Sequence, residues 1–368
     1  MTRGRRIRFV AVSSVILVAL GMTIPASAQV LPIITGVSGT AVQGARLTIT
    51  GSGFGVKGVA APMRWDNFET GNLGALYTGP YVRDDDDVTF SNTVLRTNST
   101  RSVRCAFESG DYASNFGIVG VNNLNHLYID AWYYYRPAVG QPSRNHKLFR
   151  IHANTYTPNL YFNVYCDAST HMDQDGAGSG KTDTWPALGG TPYLREKWTH
   201  LQGYFEMSSA NQNNGTALLW VDNVLWVNFR NAWNTTPNNT SYWSDFYFGN
   251  YLGHDAVGSC GPSGDAYTFW DNCYVDTTQA HVEIGNAATY AACTMREIQV
   301  PTRWTSSSID VTVNQGALAN LSNAYLYVFN RDGLVNAVGI SPCPTCPPPP
   351  IDTVAPAAVN SLVVRPGP

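Results

Sequence analysis

The sequence has few charged residues, and it has no long stretch with the apolar spacing of an amphipathic helix. Only 13% of its residues are charged, with 23 Lys and Arg against 26 Asp and Glu, which gives a formal net charge of -3. A chain without excess basic residues is a poor ligand for nucleic acid or for an anionic membrane surface. Because helical periods are missing, we expect strands to supply the secondary structure.

Several catalytic motifs are missing as well. The sequence contains no P-loop, dinucleotide-binding fingerprint or zinc-protease motif. It also lacks the acid pair E-x-D-x-x-E or E-x-D-x-E that jelly-roll glycoside hydrolases carry on one strand. Glu206 stands alone between Phe205 and Met207, and Asp222 falls in a predicted turn. A hydrolase that uses two carboxylates is therefore disfavoured.

The first 28 residues have the pattern of a secretory signal peptide. Four arginines precede an apolar run from Phe9 to Leu20, and Ala26-Ser27-Ala28 forms a small-residue cleavage site. The apolar run is too short for a spanning helix. We therefore expect a protein that is secreted to the extracellular space or cell surface, without a membrane span in the mature chain.

The chain has seven cysteines, and export would permit disulfides. The odd number leaves at least one cysteine unpaired or paired between chains. Closeness in sequence makes a bond from Cys260 to Cys273 or Cys293 plausible. Cys343 and Cys346 lie in a proline-rich run, where a local disulfide is expected.

The two ends of the chain carry strand patterns that complement each other. Residues 30–57 predict two strands that end in Gly51-Ser52-Gly53-Phe54-Gly55, and residues 304–333 predict two alternating strands with an Arg331-Asp332-Gly333 turn. These patterns resemble the opening and closing halves of an IPT/TIG immunoglobulin-like domain. The resemblance implies one split domain, 30–60 and 296–341, around an insertion. The alternative is an N-terminal arm and an unrelated C-terminal hairpin.

The split-domain interpretation predicts a shared core between the two ends of the chain. Its expected members are Ile49, Phe54, Ile309, Val311 and Tyr327. Beyond that domain, residues 342–356 form a proline-rich linker, which is expected to be extended. Residues 357–368 resemble the first strand of a truncated fibronectin type III domain.

The insertion, residues 61–295, contains many short strands separated by turn residues. Its most telling segments are residues 197–206, the hairpin at 218–227 with a tight Asp222-Asn223 turn, and residues 269–276. Together they resemble the concanavalin-A-like lectin/glucanase superfamily, as in laminin-G-like modules and jelly-roll polysaccharide lyases. The predicted fold class is therefore all-β, with a concanavalin-like jelly-roll sandwich plus a split immunoglobulin-like sandwich.

The segment Lys147–Asp167 predicts a hairpin with one apolar and one polar face. With a turn at Thr155–Pro158, we expect Arg150 opposite Asn163 and His152 opposite Tyr161, both Arg150 and His152 being exposed. Groups of these types bind sugars and acidic sugars. We therefore predict an exported protein that recognises an extracellular polysaccharide through Arg150, His152, Tyr161, Asn163 and Tyr165.

Two alternatives stay open. Residues 149–152 and 160–165 faintly resemble the Q-I-H and Y-K-A-G-x-Y segments of jelly-roll alginate lyases, although Arg150 replaces the Gln and the R-x-E-x-R strand is missing. This resemblance implies a lyase that cleaves a uronate-containing glycan by β-elimination, with His152, Tyr165 and Arg150 as catalytic residues. The second alternative is an adhesion or structural module.

Further candidate residues lie outside the hairpin core. Trp132, Tyr134, Gln202 and Tyr204 are expected on neighbouring strands and could extend a ligand surface. The stretch from His171 to Asp183 alternates acids and glycines like a calcium loop, with the acids Asp173, Asp175 and Asp183, but it lacks the terminal Glu of an EF-hand. No cofactor is required by this interpretation, and calcium is a candidate.

Overall fold

The structure is a computed structural model of the chain. It describes residues 30–83, 86–107, 114–137, 146–154, 159–164, 170–177, 181–186, 194–209, 212–232, 242–249 and 265–343. The expected signal peptide and the fibronectin-like end lie outside these ranges. Within them, no helix combines the length and the apolar character needed to cross a bilayer.

Strands form nearly all of the regular structure in these ranges, which confirms the prediction of an all-β protein. A single 3-10 turn, Tyr290–Ala292, interrupts them. The strands are β1 Ile33–Gly39, β2 Arg46–Ser52, β3 Arg64–Asp66, β4 Val82–Arg83, β5 Val88–Ser91, β6 Ser102–Phe107, β7 Phe116–Ile118, β8 His126–Arg136, β9 His146–Ala153, β10 Asn159–Val164, β11 Thr170–Ala177, β12 Lys181–Pro186, β13 Trp198–Glu206, β14 Gly215–Val221, β15 Val224–Ala232, β16 Trp243–Phe248, β17 Ala266–Asp276, β18 Val282–Gly285, β19 Arg296–Trp304, β20 Ser308–Thr312 and β21 Tyr325–Val328.

Two of the three sheets share one large apolar core. The first is an eight-stranded sheet with the order β15-β14-β13-β8-β17-β6-β5, to which β3 adds by pairing with β17. The second is a seven-stranded sheet with the order β12-β11-β10-β9-β16-β7-β4. Ile129 of the first sheet and Phe149 of the second belong to the same buried cluster, so the sheets face each other as a sandwich.

Strand alternation explains which side chains enter this core. On β8, Leu127, Ile129 and Ala131 are buried in the cluster, while the intervening Asp130 and Trp132 belong to the outer face. The hairpin of β14 and β15 is joined by Asp222 and Asn223, which both have positive φ. This is the tight two-residue turn that the sequence predicts, with residue types that tolerate the left-handed region.

The six-stranded third sheet joins strands from both ends of the described part of the chain, in the order β1-β2-β20-β19-β18-β21. Strand β2 pairs with β20, so that Ile49 lies opposite Ile309. Ile49, Phe54, Ile309 and Val311 share a second apolar core. The assignment of this unit to the IPT/TIG-like domains stays a prediction.

Two details of the third sheet differ from expectation. Strand β18 belongs to it, although the sequence predicts that the split domain resumes only at residue 296. Tyr327 does not join the second core, because it alternates with Leu326 and Val328, which do. Its hydroxyl instead donates a hydrogen bond of 2.5 Å to the carbonyl of Ala287.

The buried cysteines contradict the pairing suggested by sequence closeness. Cys273 and Cys293 are free thiols. Cys273 faces the sandwich core from β17, where its sulfur is surrounded by apolar side chains. A bond from Cys260 to Cys273 or Cys293 is therefore wrong. Cys346 lies outside the described ranges, so the expected disulfide in the proline-rich run stays a prediction.

Candidate active site

Strands β9 and β10 form the predicted hairpin, but in a register that differs by two residues from the expected one. Arg150 pairs with Tyr161 and His152 with Asn159, so the expected pairs of Arg150 with Asn163 and His152 with Tyr161 are wrong. The last pair before the connection is His152 with Asn159, and the predicted turn residues Thr155–Pro158 lie outside the described ranges. Because the shift is even, each side chain keeps its expected face.

The outer side of the seven-stranded sheet carries the candidate site, and we call it the hairpin face. Strand β16 lies beside β9 and pairs Tyr247 with Arg150 and Asp245 with His152. Arg150 is thus flanked by Tyr161 on one side and Tyr247 on the other. The described members of the hairpin face are Lys147, Arg150, His152, Asn159, Tyr161, Asn163, Asp173, Asp245 and Tyr247.

His152 lies deep in this face. Its side chain is 7% exposed, which corrects the expectation that it points to solvent. Burial lowers the pKa of His152 to about 4, and the positive charges of Arg150 and Lys147 add to this effect. The charge of Asp245 acts in the opposite direction but does not outweigh burial and the two cations. The imidazole is therefore uncharged at neutral pH.

Half-buried groups surround the histidine and leave part of the hairpin face accessible. Arg150, Tyr161 and Tyr247 are neither fully buried nor fully exposed. The ring of Tyr247 packs edge-on against His152 with 5.6 Å between ring centroids. The Lys147 ammonium lies 4.3 Å from the centroid of the Tyr161 ring. Two cations and two phenols thus border one uncharged imidazole.

Asn163 and Asp173 form the polar continuation of the face on β10 and β11. The amide of Asn163 donates a 2.5 Å hydrogen bond to Oδ2 of Asp173, and both side chains are buried. The acidic segment expected as a calcium loop is instead the antiparallel pair of β11 and β12, in which Asp183 lies opposite Gln174. Side chains of Asp175 and Asp183 lie outside the description, and calcium stays a prediction. In the described part, no group of three or more acids, histidines or cysteines is placed to bind a metal ion.

The four additional candidates do not border the hairpin face. Trp132, Tyr134, Gln202 and Tyr204 belong to β8 and β13 of the other sheet, and the sandwich core separates them from Arg150. Tyr134 is half-buried and packs edge-on against Trp198. The expectation that they neighbour the hairpin is wrong, because strand alternation gives a face but not a partner strand.

The outer face of the eight-stranded sheet meets the third sheet in a contact that we call the junction. Trp132, Gln202 and Tyr204 lie there. Gln202 donates hydrogen bonds to Asp130 at 2.9 Å and to Glu283 of β18 at 2.6 Å. Trp132 stacks on His200 with 4.7 Å between ring centroids. The Tyr204 hydroxyl lies 3.0 Å from Nδ1 of His126, and burial raises its pKa to about 12. These side chains connect parts of the protein to each other.

The junction also holds a network of buried charges. Glu283 lies 3.0 Å from His281 and 3.6 Å from Arg296. Burial alone would raise the pKa of Glu283, but the Arg296 charge and the His281 hydrogen bond outweigh it and lower the pKa to about 2. His200 lies 3.0 Å from Asp130, whose charge raises the pKa of the histidine although burial opposes it. Each of these charges has a partner inside the molecule.

Sequence reasoning missed Tyr247, Asp245 and Lys147 as members of the hairpin face. The alternation in β16, with Phe246 and Phe248 turned to the core, was a signal that Asp245 and Tyr247 share the opposite face. It could not show that β16 pairs with β9, because these strands are far apart in the sequence. Tyr165 lies outside the described residues.

The groups of the hairpin face suit proton transfer next to a negatively charged substrate. An uncharged imidazole can accept a proton, and a guanidinium can pair with a carboxylate. A phenol can donate a proton to a leaving oxygen. The face therefore combines the three chemical functions that removal of a proton beside a carboxylate requires.

Comparison with known proteins gives distant structural similarity only. No protein-family model matches the sequence, and no curated protein matches it. The structure is similar to alginate lyase Aly36B, with 12% identity, a TM-score of 0.45, and coverage of 59% of this chain and 97% of that chain. It is also similar to an endo-β-1,4-glucuronan lyase from the fungus Trichoderma reesei, with 13% identity, a TM-score of 0.46, and coverage of 59% and 96%. A third similar structure is the cellulose-induced protein Cip1, with 16% identity, a TM-score of 0.38, and coverage of 58% and 97%.

Proposed function

We propose that the hairpin face is the active site of a polysaccharide lyase that cleaves a uronate-containing glycan by β-elimination. The observation that carries this proposal is the setting of His152, whose imidazole is uncharged and lies on one face with the Arg150 guanidinium and two phenols. The expected signal peptide makes the site of action extracellular. The sequence alone favours glycan binding, whereas the electrostatics of His152 favours cleavage.

Arg150 binds the carboxylate of the uronate in this mechanism. Pairing with the guanidinium neutralises the carboxylate and thereby makes the proton on the adjacent carbon more acidic. The bound carboxylate also offsets the positive charge that helps to keep the pKa of His152 low. Substrate binding therefore brings the pKa of the histidine closer to neutral pH, where a general base is most effective.

His152 then removes that proton, and the glycosidic bond on the next carbon breaks. The electron pair of the C–H bond becomes the double bond of an unsaturated sugar, and the leaving oxygen takes a proton from a phenol. Tyr247, whose ring contacts His152, is our candidate for this acid among the described residues. Tyr165 is the competing candidate from the sequence.

The experiment that tests the proposal follows unsaturated products by their ultraviolet absorbance. Purified mature protein is incubated with alginate, polyglucuronate and polygalacturonate, and His152→Ala is measured in parallel. We expect the wild type to act on at least one polyuronate, and we expect His152→Ala to lose about 10²–10⁴-fold in rate while it still binds that polymer. Tyr247→Phe and Tyr165→Phe identify the general acid. Only the variant that lacks the catalytic hydroxyl should form product more slowly than the wild type.

His126→Ala is the matched control, because His126 is an exposed histidine on the other sheet. This variant should cleave as the wild type does. Absence of unsaturated product from the wild type on all three polymers would contradict the lyase proposal. Equal rates for His152→Ala and the wild type would exclude the hairpin face as the active site.

Glycan binding without cleavage is the second candidate function. The contact of Lys147 with the half-buried ring of Tyr161 favours it, because an aromatic face beside a cation can hold an acidic sugar without any proton transfer. This candidate predicts that the wild type binds a polyuronate but releases no unsaturated product. Arg150→Ala would then weaken binding, whereas His152→Ala would change it little.

A further inference from the structure

A lysine and an aspartate are buried together where the segment after β2 meets the end of β17. Lys57 follows β2 by five residues, and Asp276 is the last residue of β17. The lysine Nζ lies 2.6 Å from Oδ2 of Asp276, and the exposed fractions of the two side chains are 1% and 4%. Few lysines are buried this completely, and their burial needs a reason.

Tyr274 completes a triangle of polar atoms around this contact. Its hydroxyl donates a 2.8 Å hydrogen bond to Oδ2 of Asp276 and accepts one of 3.3 Å from Nζ of Lys57. The other carboxyl oxygen, Oδ1, accepts a 2.7 Å hydrogen bond from the backbone amide of Thr277. The two oxygens of Asp276 are thus held differently: Oδ1 as a carbonyl oxygen would be, and Oδ2 beside a proton donor.

The surroundings of the pair are aromatic and disfavour charge. Nζ lies 5.4 Å from the ring centroid of Trp304 and 6.0 Å from that of Tyr274, which is fully buried. Burial lowers the pKa of Lys57 and raises the pKa of Asp276, and the attraction between the two charges offsets this only in part. The neutral pair of amine and carboxylic acid is therefore more populated here than it is in water.

We propose that Lys57 and Asp276 form an intramolecular amide bond in the folded protein. Nζ bonds to Cγ of Asp276, the bond from Cγ to Oδ2 breaks, and Oδ2 leaves as water with its own proton and one proton from Nζ. The Thr277 amide stabilises the negative charge that develops on Oδ1. The Tyr274 hydroxyl moves the proton from nitrogen to Oδ2, because it is hydrogen-bonded to both atoms. This condensation needs no oxidant and no second substrate.

The bond would connect the segment after β2 covalently to the eight-stranded sheet. Its consequence is a closed ring that includes most of the sandwich, so that unfolding could not separate the start of the third sheet from β17. A cross-link that closes a long loop restricts the unfolded chain most. Such a link is useful to an exported protein that must persist without cellular repair.

The test is mass spectrometry of the purified, reduced and unfolded full chain. We expect the mass to be lower than the sequence requires by one water, and a proteolytic digest should contain a branched peptide that joins Lys57 to Asp276. Lys57→Arg and Asp276→Ala should have the full mass of their sequences. The pair Lys197 and Asp222 is an internal control, because its atoms are 2.8 Å apart but the side chains are 43% and 41% exposed; it should stay unlinked.

The wild type alone decides the proposal if the variants fail to fold. Full sequence mass and separate Lys57 and Asp276 peptides, after prolonged incubation at neutral pH, would overturn it. Tyr274→Phe keeps the aromatic ring and removes the proton relay, so we expect the link to form more slowly after refolding. Equal rates of link formation in Tyr274→Phe and the wild type would overturn the role given to the hydroxyl.

Discussion

The outer faces of the two sandwich sheets look alike in sequence and differ in structure. Both alternate apolar core residues with histidine, aromatic and amide side chains. At the junction, His200 and His281 lie 3.0 Å from carboxylates of Asp130 and Glu283. Burial alone would lower the pKa of His200, but the charge of Asp130 raises it overall. On the hairpin face, burial and then the nearby cations lower the pKa of His152 to about 4. The two faces therefore differ in the charged neighbours of their histidines, and not in the spacing of polar residues along the strands. Such surroundings are what mark a polar residue as a candidate for reactivity.

The largest effect on stability is expected at the junction. Glu283 is fully buried, and its replacement leaves Arg296 and His281 without this carboxylate partner and removes one of the two carboxylates that Gln202 contacts. We expect Glu283→Ala to reduce the free energy of unfolding by about 3–5 kcal/mol, as for one partner of other buried ion pairs. Urea denaturation measures this loss.

Asp332→Ala is the control for Glu283→Ala, because its exposed pair with Arg331 should contribute less than about 1 kcal/mol. Similar stabilities of the Glu283→Ala variant and the wild type would mean that the junction is not held by its charges. That result would contradict a structural role for the buried charges of the junction.

The stability of the protein should depend on pH through the buried carboxyl group of Asp271. Burial raises the pKa of Asp271 to about 7, and the charges of Arg96 and the Ser99 hydrogen bond offset this only in part. The folded state therefore binds the proton more tightly than the unfolded state. Stability from this group is present below the ordinary aspartate pKa and is lost as pH rises through about 7.

We expect Asp271→Asn to be more stable than the wild type at pH 8, by a few kcal/mol at most, and the difference to disappear near pH 4. Thermal unfolding at both pH values measures it. A variant that is less stable than the wild type at pH 8 would show that Asp271 is ionised and well paired with Arg96 in the folded state.

A moderate effect on affinity is expected at Arg150. Its truncation removes one charge-assisted contact with a uronate carboxylate, which corresponds to about 10–100-fold weaker binding of a polyuronate oligosaccharide. Because Arg150 is half-buried, the loss of stability should be smaller than for Glu283→Ala. Calorimetric titration with the oligosaccharide measures the affinity, and Arg303→Ala on the third sheet is the matched control. Unchanged affinity in Arg150→Ala would mean that the substrate carboxylate binds elsewhere.

The smallest effect is expected for Tyr204→Phe. The substitution removes one hydroxyl at the junction, with its contact to His126, and should cost about 0.5–1.5 kcal/mol of stability. Product formation from a polyuronate should not change. Reduced turnover in a stably folded Tyr204→Phe variant would show that the junction takes part in catalysis.

The sequence predicted the all-β fold and the faces of the hairpin, because strand alternation is a local property. The sequence did not predict which strands or sheets lie next to each other, because strands that are far apart in the chain form these contacts. The position of Trp132 and Gln202 under the third sheet, and of β16 beside β9, depends on topology that no local pattern contains. The register error at Arg150 had a similar origin, since the length of a connection cannot be read from its turn residues alone.

The electrostatics of the site could not be predicted either. The same His-x-polar alternation occurs in β9 and around His200. Both histidines are buried, and the charges of their neighbours distinguish them. Asp173 shows the same limit: acids and glycines in the sequence suggest a loop, whereas Asp173 lies on a strand that pairs with β10 and β12.

The most direct test of the account is an NMR titration of the histidine side chains with a polyuronate oligosaccharide. His152 should be uncharged at pH 6 in the free protein, and its resonances should shift on addition of the oligosaccharide, in assignments made with His152→Ala. Resonances of His200 and His281 should keep their positions, since their carboxylate partners are internal. Shifts at His200 or His281 with none at His152 would contradict the assignment of the active site to the hairpin face.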